Sequence, residues 1–194
     1  MGVISSLGVQ PSMRRLGVKS THMIWKDLLS TAGNSQTLSR ALSVPGHKTI
    51  YQLGAGGADP TQPMTAACDC SGFVCWAIGV PRELPPGSDH WLNTDVIWAG
   101  GGPVKAGLFT PITVAQALPG DLLVYPQSQP DDHGHVGIVV QVDPQMPSLV
   151  IHCSHGNYVN YGDAVRITDP AVFLSTNHPT RVMRIDYAAF QTFI

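Results

Sequence analysis

A chain of 194 residues is long enough for one domain with a sizeable core and needs no cross-links to fold. Charged residues make up 12%, against roughly 25% in an average soluble protein, and the formal net charge is -2. No basic field for nucleic acid and no acidic surface follows from that balance, no run approaches the ~18 apolar residues of a membrane span, and the Gly and Pro residues, spread along the chain, read as turns between short strands.

In chain order, "MGVISSLGVQPSMRRLGVKSTHMIW" carries its arginines after a weakly apolar stretch that Pro11 interrupts. That is not the order of a secretory signal, and the expectation is a protein made in the cytosol. "MGVISS" fits the myristoylation pattern at Gly2, but so short a motif carries little weight. "THMIWKDLLS" predicts a helix with Thr21 as N-cap and Met23, Ile24, Leu28 and Leu29 roughly on one side. "SQTLSRALSV" predicts a second helix, ended by Pro45 and Gly46. Residues 1–45 are therefore expected to form an N-terminal extension, helical and without a chemical role, and residues 46–194 the main domain.

"GAGGADPTQP", residues 54–63, is a loop by composition. Its glycines suggest phosphate binding, yet no Lys-Ser/Thr follows and no strand-to-helix context surrounds it. From Cys70 to Ile78, Phe73, Val74, Ala77 and Ile78 sit at helical spacing, and "GVP" closes that helix. A long segment from Arg82 to Phe109 follows without periodicity. Beyond it come "DLLVY", "HVGIVVQV", "SLVIHCS", "DAVRIT" and "RVMRIDY", short strands separated by turns. One helix followed by several antiparallel strands is an α+β pattern.

"CDCSGFVCW", residues 68–76, places three cysteines in nine positions. A nucleophilic cysteine must become a thiolate, and a helix N-terminus and a nearby imidazolium both favour that form. Cys70 opens the predicted helix beside the small Ser71 and Gly72. Cys75 lies about 140° further round the axis and is expected in the core. Zinc could be assembled from Cys68, Cys70, Cys75 and Cys153 with histidines, but the spacing lacks paired C-x2-C knuckles. Four cysteines without a signal do not suggest a disulfide framework either.

Of eight histidines, His135 and His152 fall on predicted strands. If Val140 opposes Leu149, residue 137 opposes 152, and His135 becomes the diagonal neighbour of His152 on one face, at about 7–8 Å. A one-residue slip would separate them. In that register His135 can serve the thiol and His152 can hold its ring, while Cys153 turns to the other face with Val136 and Ile138 as a buried thiol. Taken singly, either histidine reads as an ordinary hydrogen-bonded strand residue. His90, His133 and His155 read as solvated loop residues.

"DCSGFVCWAIG", "LPGDLLVY", "GHVGIVVQV" and "VIHCSHGN" resemble, in order and spacing, the motifs of the NlpC/P60 cysteine peptidases. The likeness spans roughly residues 46–187. It implies a papain-like α+β core with the nucleophile helix packed on an antiparallel sheet, and hydrolysis of peptidoglycan peptides at a γ-D-glutamyl bond or by an amidase reaction. It implies Cys70 as nucleophile, His135 as general base and acid, and His152 as the orienting third residue. By the same resemblance Asp69 and Ser71 recognise substrate, and Tyr51 of "YQLGAGG" assists at the oxyanion, although it stands further from Cys70 than is usual. No metal or organic cofactor is implied.

Trp91, Asn93, Asp95 and Trp98 of "GSDHWLNTDVIW" lie between nucleophile and base and could wall the cleft, with Trp91 and Asn93 as substrate contacts; packing is the plainer reading for the tryptophans. A cell-wall hydrolase without a Sec signal would leave by a specialised secretion route, belong to a prophage, or act on an intracellular amide. The peptide of peptidoglycan is the expected partner, an immunity or inhibitor protein a further one, and nucleic acid is not expected. Two other readings stay open: the same thiol chemistry on a cytosolic amide or acyl substrate, and a zinc-stabilised or binding module without turnover.

Overall fold

The computed structural model describes residues 21–57, 67–128, 133–175 and 178–193, with side chains from residue 32 onward. The myristoylation pattern at Gly2, the end of the glycine loop, and the helical side chains Met23 to Leu29 lie outside the described residues. Among those described, no helix is long and apolar enough to cross a membrane.

The first element is one helix, α1 (Thr21–Leu42), not the two expected. Gly33 and Asn34 lie inside it and are tolerated because tertiary contacts hold this stretch. A Cβ at Gly33 would lie 2.3 Å from the Tyr187 ring, Asn34 donates to the Asp121 carboxylate at 3.2 Å, and Thr37 shares a 2.9 Å bond with the Tyr187 hydroxyl. Arg40 lies 4.7 Å over the Trp76 ring. The extension helix is thus packed on the part of the chain that carries Cys70.

Two-residue strands β1 (Ile50–Tyr51) and β2 (Ala67–Cys68) pair in parallel, with Tyr51 level with Cys68. Next come α2 (Cys70–Ile78) and α3 (Thr94–Trp98). The strands β3 (Phe109–Ile112), β4 (Leu122–Tyr125), β5 (His135–Val142), β6 (Pro147–Cys153), β7 (Val165–Thr168) and β8 (Arg181–Ile185) form one antiparallel sheet in the order β3-β8-β4-β5-β6-β7. Short helices α4 (His155–Tyr161), α5 (Ala171–Leu174) and α6 (Tyr187–Phe190) fill the connections. The α+β arrangement of nucleophile helix on antiparallel sheet is as expected. Strand β3 and the helices α3 to α6 are additions, and His155 opens α4 instead of lying in a loop.

Side chains alternate across the sheet as period two requires. Leu122, Val124, Val136, Ile138, Ile151 and Cys153 join the main core with α2, whereas Leu123, Tyr125, Val139, Val150 and Val182 surround Phe173. α2 is buried from Cys70 to Ala77, apolar apart from Ser71, and packs on β5 and β6. The β5–β6 register pairs Ile138 with Ile151 and Val139 with Val150, the alignment that sets residue 137 level with 152. The assumed Val140–Leu149 pair itself does not form, since an irregularity at Val140 moves Leu149 opposite Gln141. The extra residue falls beyond the histidines, so their relative placement survives it.

Candidate active site

The helix carrying Cys70 starts where it does because Asp69 stops the chain in an extended conformation and caps it, accepting from the Gly72 N–H at 2.8 Å. Asp69 accepts four further hydrogen bonds: from Gly54 N at 2.7 Å, Ser71 Oγ at 3.1 Å, and Arg82 Nη1 and Nη2 at 2.8 and 2.7 Å. Ser71 Oγ accepts from Arg82 Nη2 at 2.9 Å as well as donating to Asp69. Both residues are almost wholly buried, at 2% and 3% exposure. Their hydrogen-bonding groups, expected to meet a substrate, are turned inward onto Arg82, which the sequence reading did not single out. A buried aspartate needs such a partner; "PRELPP" offers no signal of it because the pairing is made only in space.

The small residues after Cys70 also have a different use from thiol access. A Cβ at Gly72 would lie 2.2 Å from the Ala55 carbonyl oxygen, which accepts from both Arg82 Nη1 and Asp69 N. Gly72 lets the loop after Tyr51 close on the start of α2. Tyr51, level with Cys68, is thereby brought near Cys70 despite its distance in sequence. Its phenol is held protonated above the usual tyrosine range, by burial first and then by Cys70 and Asp69, and its ring meets His155 edge-on at 5.7 Å.

The Cys70 thiol is buried, at 5% exposure, and donates to the Gly134 carbonyl at 3.9 Å. Backbone N–H groups of Val136 and Ser71 act on the sulfur from the other direction. The sulfur thus rests against the backbone on both sides of His135. His135 Nε2 lies 2.7 Å from His152 Nδ1, and His152 Nε2 lies 2.9 Å from Thr168 Oγ1. Phe173 stacks on the His135 ring at 5.1 Å and meets His152 edge-on at 5.8 Å. Room for it comes from Gly137, where a Cβ would approach Phe173 to 3.0 Å and Val150 to 2.7 Å.

Burial pushes the Cys70 thiol up to about 12, Asp69 adds in the same direction, and the two N–H groups and Arg82 offset only part of this. The expected lowering by the helix start is outweighed. A helix end is worth about 0.3–1 kcal/mol, whereas a rise of three pKa steps corresponds to ~4 kcal/mol. Burial, followed by His152, lowers His135 to about 3, and burial lowers His152 to about 4. Thiol and imidazoles are all neutral at rest at pH 7.

No motif in the sequence pairs Cys68 with Cys153. The structure sets their sulfurs 3.2 Å apart as free, buried thiols. Cys75 is buried in the core, as its helical position implied. Among the described residues, no group of three or more His, Cys, Asp or Glu side chains is placed to hold a metal ion.

Trp91 is 46% exposed and covers the Arg82 guanidinium at 5.1 Å, so it reaches the site through the Asp69 network. Asn93 caps α3 through Val96 N at 2.9 Å, and Asp95 accepts from Gln127 N at 2.9 Å. Asp95 thereby ties the long connection to the loop that leads into His135. Trp98 packs under Arg181 at 4.0 Å.

Residues 60–157, half of the chain, match the CHAP domain family. No curated protein matches the chain. The matched stretch contains Cys70, His135 and His152; Tyr51, Thr168 and Phe173 lie outside it.

Proposed function

The chain belongs to the CHAP domain family, which occurs among NlpC/P60-like cysteine peptidases and amidases and at family level hydrolyses peptidoglycan, and from that premise we propose that it is a cysteine hydrolase acting through Cys70, His135 and His152 on an amide bond of peptidoglycan peptides, as a γ-D-glutamyl endopeptidase or an amidase. The observation that supports this reading best is the 2.7 Å His135–His152 bond beside a thiol seated on the backbone of the same histidine.

In this mechanism His135 Nε2 is taken by His152. The nitrogen left for the thiol is Nδ1, the one nearer the ring's own backbone, and the sulfur lies against the peptide groups of the flanking Gly134 and Val136. Because the resting groups are neutral, the thiol proton passes to His135 as sulfur attacks the carbonyl carbon, rather than residing there beforehand. The oxyanion would be met by the Cys70 N–H, one of the first-turn groups without a carbonyl partner inside the helix, and by the protonated Tyr51 phenol. Collapse expels the amine, which takes its proton from His135, and leaves a thioester. Water, deprotonated by His135, then releases the acid and restores the thiol.

Mass spectrometry of purified muropeptides after incubation with wild type and Cys70→Ala tests the proposal. Wild type is expected to shorten the peptides or split them from the sugar, and the variant to leave them intact. Muropeptides unchanged by both proteins would refute it.

A further inference from the structure

We propose that Thr168 is a positioning residue that sets the direction of the hydrogen bond between the two histidines, so that His135 presents a lone pair, not an N–H, to Cys70. The inference rests on the reading that Cys70 and His135 work together.

Two neutral imidazoles bonded nitrogen to nitrogen have two possible senses, because each carries one N–H. If His152 Nδ1 carries the hydrogen and donates to His135 Nε2, the His135 hydrogen sits on Nδ1 and the ring cannot take a proton from the thiol. If His135 Nε2 donates, Nδ1 is free to do so. Nothing within the pair chooses between these senses, and the choice must come from its far end.

That end is Thr168. Its Oγ1 lies 2.9 Å from His152 Nε2 and donates to the Asp169 carbonyl oxygen at 3.1 Å. The hydroxyl has one hydrogen, and while it is given to that carbonyl the oxygen offers His152 a lone pair. His152 Nε2 must then carry the hydrogen, its Nδ1 must accept, and His135 Nε2 must donate. The direction set at Asp169 is passed through three bonds to His135 Nδ1, the nitrogen that the proposed mechanism leaves for Cys70. Burial keeps both rings neutral, which preserves the one-hydrogen count on which this depends.

The fold supplies the geometry. Thr168 pairs with Val150 and Arg166 with His152, so Thr168 is the diagonal neighbour of His152 on its face of the sheet. Two residues after Asp169, α5 begins, and it carries the Phe173 ring that fixes both imidazole planes.

The test uses the full chain with Thr168→Val, which keeps the shape and removes the hydroxyl, and Thr168→Ser, which restores it. Nitrogen-15 NMR of the imidazoles is expected to show the Nε2–H form of both histidines in wild type and Thr168→Ser, and loss of that preference in Thr168→Val. Alkylation of Cys70 by iodoacetamide, resolved by peptide mass, is expected to slow about five- to tenfold in Thr168→Val, the worth of one hydrogen bond, and to recover in Thr168→Ser. On muropeptides the same loss should fall on kcat rather than KM. Unchanged imidazole signals and alkylation in Thr168→Val, or an equal loss in Thr168→Ser, would overturn the inference. Muropeptides left intact by wild type, with the imidazole and alkylation differences present, would refute the murein reading and support this one.

Discussion

Acidification from pH 7 to 5.5 should cost wild-type protein about 2.5 kcal/mol more stability than it costs a His135→Gln/His152→Gln variant. Both imidazoles are held neutral by burial, well below an unfolded value near 6.5. With the folded values depressed, the unfolded chain binds the extra protons, so the contribution is complete above about pH 6.5 and is lost as pH falls. Between pH 7 and 5.5, protonating one unfolded imidazole is worth about 1.2 kcal/mol, and two give ~2.5 kcal/mol. The figure barely changes with the depth of the folded values, provided both lie below about 4.5. At roughly 2–4 °C per kcal/mol for a chain of this size, the Tm gap between the two proteins should move by about 5–10 °C. Thermal unfolding by circular dichroism at both pH values measures it, and groups common to both proteins cancel in the difference. A gap independent of pH would refute the assignment of a buried, neutral imidazole pair.

Arg82→Met should lower stability by about 3–5 kcal/mol, because it leaves the Asp69 carboxylate buried at the cap of α2 without its cation. Denaturant titration checks this, and a loss below ~1 kcal/mol would contradict the pairing. Gly72→Ala should destabilise by about 1–3 kcal/mol, since its Cβ meets the Ala55 backbone and not a flexible side chain. Alkylation of Cys70 should keep rising with pH beyond 9 in the folded protein, in keeping with a thiol pushed up to about 12, and should follow an ordinary thiol profile in urea. A folded-state plateau near pH 7 would show a standing thiolate instead.

The legible part of the site was the part governed by local periodicity. Cys70 stands at the start of an apolar helical pattern, and His135 and His152 stand on strands whose alternation leaves few registers. The irregularity at Val140 could not be foreseen, but it lies beyond the two histidines. What stayed hidden is held by contacts distant in sequence. The pairing of Asp69 with Arg82, 13 residues on, has no local signal. The continuity of α1 through Gly33 and Asn34 rests on Tyr187 and Asp121, more than eighty residues away. Cys68 and Cys153, 85 residues apart, meet only because β2 leads into α2 against the end of β6.

The chemistry and its orientation come from different parts of the chain. Cys70, His135 and His152 all fall within 60–157, the stretch that matches the CHAP domain. Tyr51 precedes it, and Thr168 and Phe173 follow it. Phe173 reaches the histidines only because Gly137, inside the matched stretch, has no side chain to keep it out. A fragment limited to 60–157 would therefore keep the three reacting side chains but lose β7, α5 and the ring stacked on His135. Its histidine pair would be open to water on the face that Phe173 now covers, and the burial that keeps both rings neutral would be reduced. Orientation and protonation state at this site thus depend on residues outside the stretch that carries the reacting groups.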